Sequence, residues 1–232
     1  AGVMRRYNVL VISDEIYGML NHAGQHRSLA RYYPEGTLIT GGLSKWCGAG
    51  GWRLGVMHVP EALAGNLLPR LLGVASETWS CVSSPVQYAA TEAYAFGPEI
   101  QAYVAREREV LSLIGNAAAA QLNEAGVATA APEGGFYLFP DFAGWREQLA
   151  RRGIHSSDQL CTALLEEAGV ALLPGTAFGM PAEELVARLS YVNFDGARSL
   201  ALDADLEQVA QPVLEGIAAI NHWLAQQGQE AA

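Results

Sequence analysis

The chain has 232 residues, of which 50% are apolar and 16% charged, and this is the composition of a globular protein rather than a disordered or fibrous one. Its 14 basic and 24 acidic residues give a formal net charge of -10, which repels nucleic-acid phosphates and anionic lipid surfaces. We therefore expect neither a nucleic-acid partner nor a membrane partner.

Three strands are predicted within the first 60 residues. The apolar run at 9–12 is rich in β-branched residues and leads to Asp14, which is typical of a parallel strand that is buried on both faces. Residues 37–40 and 52–59 predict the second and third strands, because each is an extended apolar segment followed by Gly or Pro.

Residues 60–126 follow a helical pattern, and the clearest helix is predicted over 98–124. Pro98 and Glu99 suit its first turn, and Gly126 follows its last one. This segment therefore predicts a long helix that connects two parts of the chain.

The second half of the chain predicts a smaller α/β unit. Its predicted elements are two strands, a helix and a turn, at 135–139, 188–192, 157–168 and 174–175. After Asp205, apolar residues recur every three or four positions, which predicts a helix that packs by one face. Pro212 lies within this pattern and is expected to kink the helix.

The three cysteines, Cys47, Cys81 and Cys161, are far apart and belong to no CxxC pair. This spacing argues against a disulfide framework and a zinc site, and it favours a reducing compartment. The apolar stretches fall far short of the ~20 residues that cross a bilayer, and we expect no signal peptide. The sequence thus predicts a cytoplasmic protein.

Two polar features point to chemistry. Asp14 follows a predicted buried strand, at the end where open α/β sheets bind ligands, and Tyr17 comes three residues later. Lys45 is the only lysine of the chain and lies among small residues between two predicted strands, with Arg53 eight residues on. The alternatives are a turn-forming role for Asp14 and a surface position for Lys45.

The segment 45–55, together with Asp14-x-x-Tyr17 upstream, resembles the cofactor-lysine and ring-binding motifs of the class I/II aminotransferases, the fold type I enzymes that use pyridoxal 5'-phosphate (PLP). Further similarities lie at 132–137, 174–179 and 188–190. The resemblance covers nearly the whole chain. It implies the α/β fold of PLP-dependent transferases of fold type I.

The resemblance also implies two domains. Residues 1–105 would form a partial PLP-binding large domain with a mainly parallel sheet, and residues 106–232 a C-terminal α/β small domain. In full-length members of the family the Asp14 strand falls near the middle of the chain, whereas here it begins at residue 8. We therefore expect a C-terminal portion without its upstream part, and with apolar strand faces and edges left exposed.

The family match implies a role for each residue of the cofactor motifs. Lys45 would hold PLP as a Schiff base and then move the proton between the substrate α-carbon and the cofactor. Asp14 would pair with the pyridine nitrogen, because a carboxylate there favours the protonated, electron-withdrawing ring. Tyr17 would donate a hydrogen bond to the phenolic oxygen of the cofactor.

The phosphate of PLP would be bound by Arg53, whose planar guanidinium offers two parallel donors. The alternative for Arg53 is an exposed position on a strand. Ser44 would add a hydroxyl to the same phosphate. Members of the family often carry serine three positions before the lysine, and this chain has Gly42 there, which leaves that phosphate contact open.

Arg188 lies in an otherwise apolar predicted strand, where an unpaired buried guanidinium is costly, and it therefore needs an anion. The resemblance implies that this anion is the α-carboxylate of the substrate. The alternative is an internal salt bridge to one of the chain's own acids. Phe178 and Tyr137 are expected in the core rather than in the wall of a pocket.

Three functions remain open at this point. The resemblance favours a PLP-dependent transaminase that passes an amino group from an amino acid to a 2-oxo acid, working as a homodimer. A second is another PLP reaction on the same fold, such as β-elimination or an aminocyclopropane-type synthase reaction. A third is a non-catalytic interaction module.

Overall fold

The computed structural model describes residues 1–201 and 203–229, and the chain divides into an N-terminal unit, residues 1–108, and a C-terminal unit, residues 109–232. In chain order, the N-terminal unit contains α1 (Gly2–Arg6), β1 (Val11–Asp14), β2 (Thr37–Gly42), β3 (Gly55–His58), α2 (Glu61–Thr78), α3 (Ser84–Ala95) and the first part of α4 (Pro98–Glu124).

The three strands of the N-terminal unit form one sheet in the order β1-β2-β3. β1 and β2 run parallel, with Asp14 opposite Thr40, and β3 runs antiparallel to β2, with Gly55 opposite Gly42. The carboxyl ends of β1 and β2 and the amino end of β3 therefore lie together. We call this place the carboxyl end of the sheet.

The prediction that the first strand is buried on both faces is wrong. Burial alternates along β1, and Ile12 is 66% exposed. The reason is that β1 has the outer position in its sheet and, within residues 1–201 and 203–229, pairs only with β2. Val9 and Leu10, just before the strand, are exposed as well, as expected for apolar strand surface that lacks a neighbour.

The strand predicted over 52–59 is shorter than expected. Trp52 ends a 3-10 turn, and Arg53 has a left-handed φ of 54°, so that β3 begins only at Gly55. In contrast, the long helix predicted over 98–124 is confirmed with those bounds as α4. Its first turn carries Glu99, which suits the positive end of the helix dipole.

The C-terminal unit contains the rest of α4 and a small antiparallel sheet with strand order β4-β6-β5. Its elements are β4 (Tyr137–Leu138), α5 (Arg146–Arg151), α6 (Ser157–Ala168), β5 (Leu173–Pro174), β6 (Ala187–Ser190), α7 (Gly196–Ser199) and α8 (Leu206–Gln229). Both predicted strands of this region exist, but each is shorter than the apolar run that predicted it.

Local signals explain the helices of this unit. α6 has the predicted bounds because Ser156 and Gln159 form a capping box at its start and Gly169 takes a left-handed conformation at its end. α8 continues through Pro212. The apolar face predicted for the tail is confirmed: Ala210, Val213, Ile217, Ile220 and Leu224 are buried, and Leu206, at the start of the helix, is half-buried. None of the described helices, over 1–201 and 203–229, is both long and apolar enough to cross a membrane.

Candidate active site

Four of the predicted cofactor residues lie at the carboxyl end of the N-terminal sheet. Asp14 is the last residue of β1, and Tyr17 follows three positions later. Lys45 comes three residues after β2 ends, and Arg53 stands two residues before β3 begins. Because the two parallel strands end where the antiparallel strand starts, a carboxylate, a phenol, an amine and a guanidinium meet at one end of one sheet.

Buried neighbours hold the loop that carries Lys45. Leu43 and Trp46 are 2% and 3% exposed, and the ring of Trp46 makes an edge contact with Tyr94 at 5.5 Å between centroids. Lys45 itself is half-buried, and its Nζ lies 5.6 Å from the centroid of the Tyr17 ring. Lys45 is therefore not a freely moving surface lysine, and its amine is directed to the segment that follows β1.

Asp14 forms a hydrogen bond within a turn, and its side chain is exposed. Its Oδ1 accepts a hydrogen bond from the backbone N–H of Ile16 at 3.3 Å, and its side chain is otherwise at the surface. A carboxylate has about four lone-pair sites, so that one such bond leaves acceptor capacity for a ligand. The turn-forming alternative is thus present and is compatible with ligand binding.

Arg53 is exposed, and its Nη1 donates to the carbonyl oxygen of Gly50 at 2.8 Å. Arg53 is not part of a strand, although the strand predicted over 52–59 includes it. It precedes β3 and has a left-handed backbone conformation. The hydrogen bond to Gly50 turns the guanidinium back toward the Lys45 loop, while its other N–H groups remain donors. Ser44, next to Lys45, is half-buried in the same loop.

Gly42 has no room for a side chain. A Cβ built at this position would lie 2.7 Å from the carbonyl oxygen of Leu54 and 3.3 Å from Cα of Gly55, both on the backbone of the neighbouring strand segment. The family's serine at this position therefore does not fit the present backbone. Close approach of two backbone segments explains why this chain has glycine three positions before Lys45.

We expect Gly42→Ser to destabilise the chain rather than to restore a phosphate contact. The overpacked Cβ should lower the free energy of unfolding by about 1–3 kcal/mol, because the obstacle is backbone and cannot rotate away. Urea unfolding followed by tryptophan fluorescence measures this. Gly41→Ser is the matched control, since a Cβ at Gly41 meets only Val56 Cγ2 at 3.8 Å. Equal losses in the two variants would contradict the packing explanation.

A half-buried acid, Glu107, lies behind the Lys45 loop. Burial raises the pKa of Glu107 to about 8, against a smaller opposite effect from Arg108, and its Oε2 has no hydrogen-bond partner among the described residues. Burial together with Glu107 also raises the pKa of the Cys47 thiol and raises the pKa of Tyr103 to about 12. At neutral pH these three groups are therefore uncharged in the folded chain.

The pKa of Glu107 gives the stability of the fold a pH dependence. Between its usual pKa near 4.5 and about 8, the unfolded chain releases this proton and the folded chain keeps it. Stability therefore falls as pH rises through this range. We expect Glu107→Gln to remove this loss and to stabilise the chain at pH 8 by about 2 kcal/mol, after allowance for partial exposure, and to have little effect at pH 5.

Urea midpoints of the Glu107→Gln variant at the two pH values measure this difference. Glu92→Gln is the control, because Glu92 is an exposed helical glutamate of the same unit. A Glu107→Gln variant that shifts the midpoint equally at both pH values would show that Glu107 is ionised in the folded chain.

Arg188 lies on β6 in the C-terminal unit and contacts two aromatic rings. Its Cζ is 4.4 Å from the ring centroid of Tyr137 and 4.8 Å from that of Phe178. Within residues 109–201 and 203–229, no carboxylate lies at ion-pair distance from this guanidinium, so the internal salt bridge is not formed there. The two rings stabilise the positive charge of the guanidinium, whereas no described carboxylate of the C-terminal unit pairs with its N–H groups.

The prediction that Phe178 and Tyr137 belong to the core is wrong. Phe178 is 43% exposed, and Tyr137 is half-buried. The apolar pattern of both segments does not arise from burial in the core, because their rings lie against the guanidinium of Arg188 instead. The contacts with Arg188 make these two side chains candidate site residues, a role that the sequence had placed behind a position in the core, because no local spacing rule connects them to Arg188.

Metal chemistry finds no support in the described part of the chain. Within residues 1–201 and 203–229, no group of three or more His, Cys, Asp or Glu side chains is arranged to hold a metal ion. The three cysteines are free thiols. The chemical candidates are therefore the groups at the carboxyl end of the sheet and Arg188.

Comparison with known proteins gives a consistent result. The profile of the family "Aminotransferase class I and II" matches residues 1–195. The aspartate aminotransferase of Geobacillus stearothermophilus is 37% identical over 202 residues, which are 85% of this chain and 48% of that protein. A probable N-acetyl-LL-diaminopimelate aminotransferase of Bacillus subtilis is 36% identical over 191 residues, 82% of this chain and 44% of that protein.

Solved structures agree with the sequence comparisons. The aromatic aminotransferase of Pyrococcus horikoshii matches 98% of this chain and 54% of its own, with a TM-score of 0.77 and 26% identity. The fold is thus that of PLP-dependent aminotransferases of fold type I. The chain spans about half the length of the curated relatives it matches. By its sequence and its fold, the chain belongs to the aminotransferase class I and II family.

Proposed function

We propose that this chain carries the lysine-bearing part of a PLP-dependent aminotransferase, which transfers an amino group from an amino acid to a 2-oxo acid. The observation that carries the proposal is the grouping of Asp14, Tyr17, Lys45 and Arg53 at the carboxyl end of one sheet. Membership of the family supports it. In this proposal the N-terminal unit is the PLP-binding part, and the C-terminal unit is the small domain that supplies Arg188.

The donor set at the carboxyl end of the sheet fits PLP group by group. A carboxylate, Asp14, suits the pyridinium nitrogen, and a phenol, Tyr17, suits the phenolic oxygen. A guanidinium and a hydroxyl, Arg53 and Ser44, suit the phosphate. The amine of Lys45 suits the aldehyde and would be the point of covalent attachment. Each polar group of the cofactor thus has a chemical counterpart in the N-terminal unit.

The residues of the chain then have separate tasks. When bound, PLP supplies an electron-withdrawing ring that stabilises negative charge at the substrate α-carbon. Asp14 keeps the ring nitrogen protonated, and Tyr17 and Arg53 fix the orientation of the ring. Lys45 Nζ, freed when the substrate amine takes its place on the cofactor, would take the proton from the α-carbon and deliver it to the cofactor, which is a task for a positioned amine beside the reacting atom.

Arg188 binds the α-carboxylate of the substrate in this proposal. A bidentate guanidinium–carboxylate pair fixes both the position and the plane of the substrate. The contacts of Arg188 with Tyr137 and Phe178, and the lack of a carboxylate from its own unit, support this role. All amino acids and their 2-oxo acids carry the group that Arg188 recognises, so that it serves both half-reactions.

We also propose that the protein is a cytoplasmic homodimer. The three free thiols suit a reducing compartment. The helix α2 has no buried residue, and it exposes Leu72 by 60% and Val74 by 56%, which favours association with a second chain. Sedimentation equilibrium should report the mass of two chains, and a monomer at micromolar concentration would refute the dimer.

The test of the function is a pair of half-reactions on the purified chain loaded with PLP. We expect an amino acid to convert the cofactor to pyridoxamine phosphate and a 2-oxo acid to convert it back, with both steps visible in the absorbance spectrum. Release of ammonia without the return step would indicate an eliminating enzyme instead. No PLP binding at all would favour a non-catalytic role for this chain.

A further inference from the structure

A second hydrogen-bonded cluster lies next to the Asp14–Tyr17 segment. The carboxylate of Glu15 accepts a hydrogen bond from Ser13 Oγ at 3.1 Å and lies 2.9 Å from Nε2 of His26. The Glu15 side chain is 13% exposed and that of His26 is 33% exposed. Glu15 therefore points away from solvent, into contacts within the chain, although it is the residue directly after Asp14.

The imidazole of His26 lies against the backbone just after Tyr17. A Cβ at Gly18 would be 2.8 Å from both Cδ2 and Nε2 of this ring, so that only glycine allows the approach. The backbone N–H of Gly18 donates to the carbonyl oxygen of Glu15 at 2.9 Å and closes the turn. The ring thus covers the end of the turn that Glu15 begins.

The same segment is tied to the sheet and to the following loop. The backbone N–H of Glu15 donates to the carbonyl oxygen of Thr40 at 2.8 Å, which continues the β1–β2 ladder by one residue. His26 and Ser28 belong to the loop that follows, where Ser28 Oγ accepts a bond from the N–H of Ala30 at 3.1 Å. Glu15 therefore joins three pieces of chain around the turn.

Glu15 is an anion in this cluster at neutral pH. Burial acts to raise the pKa of its carboxyl, but the hydrogen bonds from His26, Ser28 and Ser13 outweigh burial and lower the pKa below its usual value. A carboxylate is a stronger acceptor than a neutral acid. Its acceptor sites are directed to these partners, so that Glu15 is suited to hold neighbouring residues rather than to bind the cofactor.

We propose that Glu15 and His26 are positioning residues that hold the turn carrying Asp14 and Tyr17 in its cofactor-binding geometry. This inference rests on the proposed function for the roles of Asp14 and Tyr17, whereas the holding of the turn is a property of the cofactor-free chain. Neither residue touches the reacting atoms. They act on PLP only through the two side chains that they keep in place.

The experiment compares Glu15→Gln, His26→Ala and His26→Gln with the unchanged chain in two measurements. The first is amide hydrogen exchange without cofactor, read at the N–H groups of Ile16 and Gly18. The second is the dissociation constant of PLP with the visible circular dichroism of the bound cofactor. Glu35→Gln and His58→Ala are the controls, because Glu35 pairs with Arg5 at the surface and His58 ends β3 away from this turn.

We expect Glu15→Gln and His26→Ala to speed exchange of the two amides by at least about tenfold, since a charge-assisted hydrogen bond is weakened or lost. The same variants should weaken PLP binding by about tenfold and reduce its circular dichroism. His26→Gln keeps a hydrogen-bond donor, so that its amide exchange and its PLP binding should lie between those of His26→Ala and the unchanged chain. Unchanged exchange overturns the proposal, and faster exchange with unchanged PLP binding overturns the positioning role.

Failure of the proposed function gives a different pattern. If the unchanged chain does not bind PLP, the function proposed for it fails, while the exchange of the Ile16 and Gly18 amides still decides the holding role. Faster exchange in the two variants then supports the Glu15–His26 pair as the holder of the turn. Equal exchange in variants and controls overturns it.

Discussion

Lys45→Ala is expected to abolish the covalent attachment of PLP and to reduce transamination by about 10²–10⁴-fold or more, which is the usual contribution of a positioned proton-transfer group. In the proposed function the loss would combine two tasks, since the same amine would bind the cofactor and serve as the base at the substrate α-carbon. The half-buried position of Lys45, with Nζ 5.6 Å from the Tyr17 ring, places the amine at the carboxyl end of the sheet for both.

The measurement is borohydride reduction of the PLP-loaded chain followed by peptide mass mapping. Because Lys45 is the only lysine of this sequence, an adduct in the peptide that contains it identifies the attached amine. Lys45→Arg is the matched variant, since it keeps the positive charge and removes the nucleophilic amine. An adduct confined to peptides that lack Lys45 would contradict the role of Lys45.

Arg188→Lys is expected to raise KM for the amino acid and for the 2-oxo acid by about 10- to 150-fold, with PLP attachment unchanged. The size follows from the loss of charge-assisted hydrogen bonds of about 1.5–3 kcal/mol when a planar, bidentate group becomes a point charge. Contacts with the rings of Tyr137 and Phe178 hold the guanidinium plane, and a lysine ammonium cannot reproduce this geometry.

This assignment is tested by steady-state kinetics with substrates that carry the α-carboxylate and with substrates that lack it. An amine substrate that lacks the carboxylate should react equally in the Arg188→Lys variant and in the unchanged chain. Arg152→Lys is the matched control in the same unit, because Arg152 already pairs with Glu167 at 2.8 Å. An increase in KM that is the same for substrates with and without the carboxylate would show that Arg188 acts through structure alone.

Two helices of this protein, α4 and α6, could be predicted with their bounds from local sequence, whereas α1, α5 and α7 were not predicted. The bounds of α4 and α6 agree with the prediction, because Pro and Glu at a first turn, a Ser-based cap and a following Gly act within a few residues. The bounds of the strands agreed less well with the prediction, because a strand ends where its hydrogen-bonded partner strand ends. The apolar pattern of residues 9–12 predicted a buried strand, but Ile12 is exposed, because within the described residues β1 pairs with β2 alone.

The candidate site divides in the same way. The sequence by itself determined which chemical groups are present: the single lysine, the Asp14-x-x-Tyr17 spacing and the arginine in an apolar strand. These features depend only on the identity and order of the residues. Only the tertiary structure decided the contacts between distant positions. These are the aromatic rings at Arg188, the imidazole over Gly18, the backbone of Leu54 against Gly42, and the acid at 107 behind the Lys45 loop. Such contacts arise when separate elements pack together, and no local periodicity records which residue of one element will meet which residue of another.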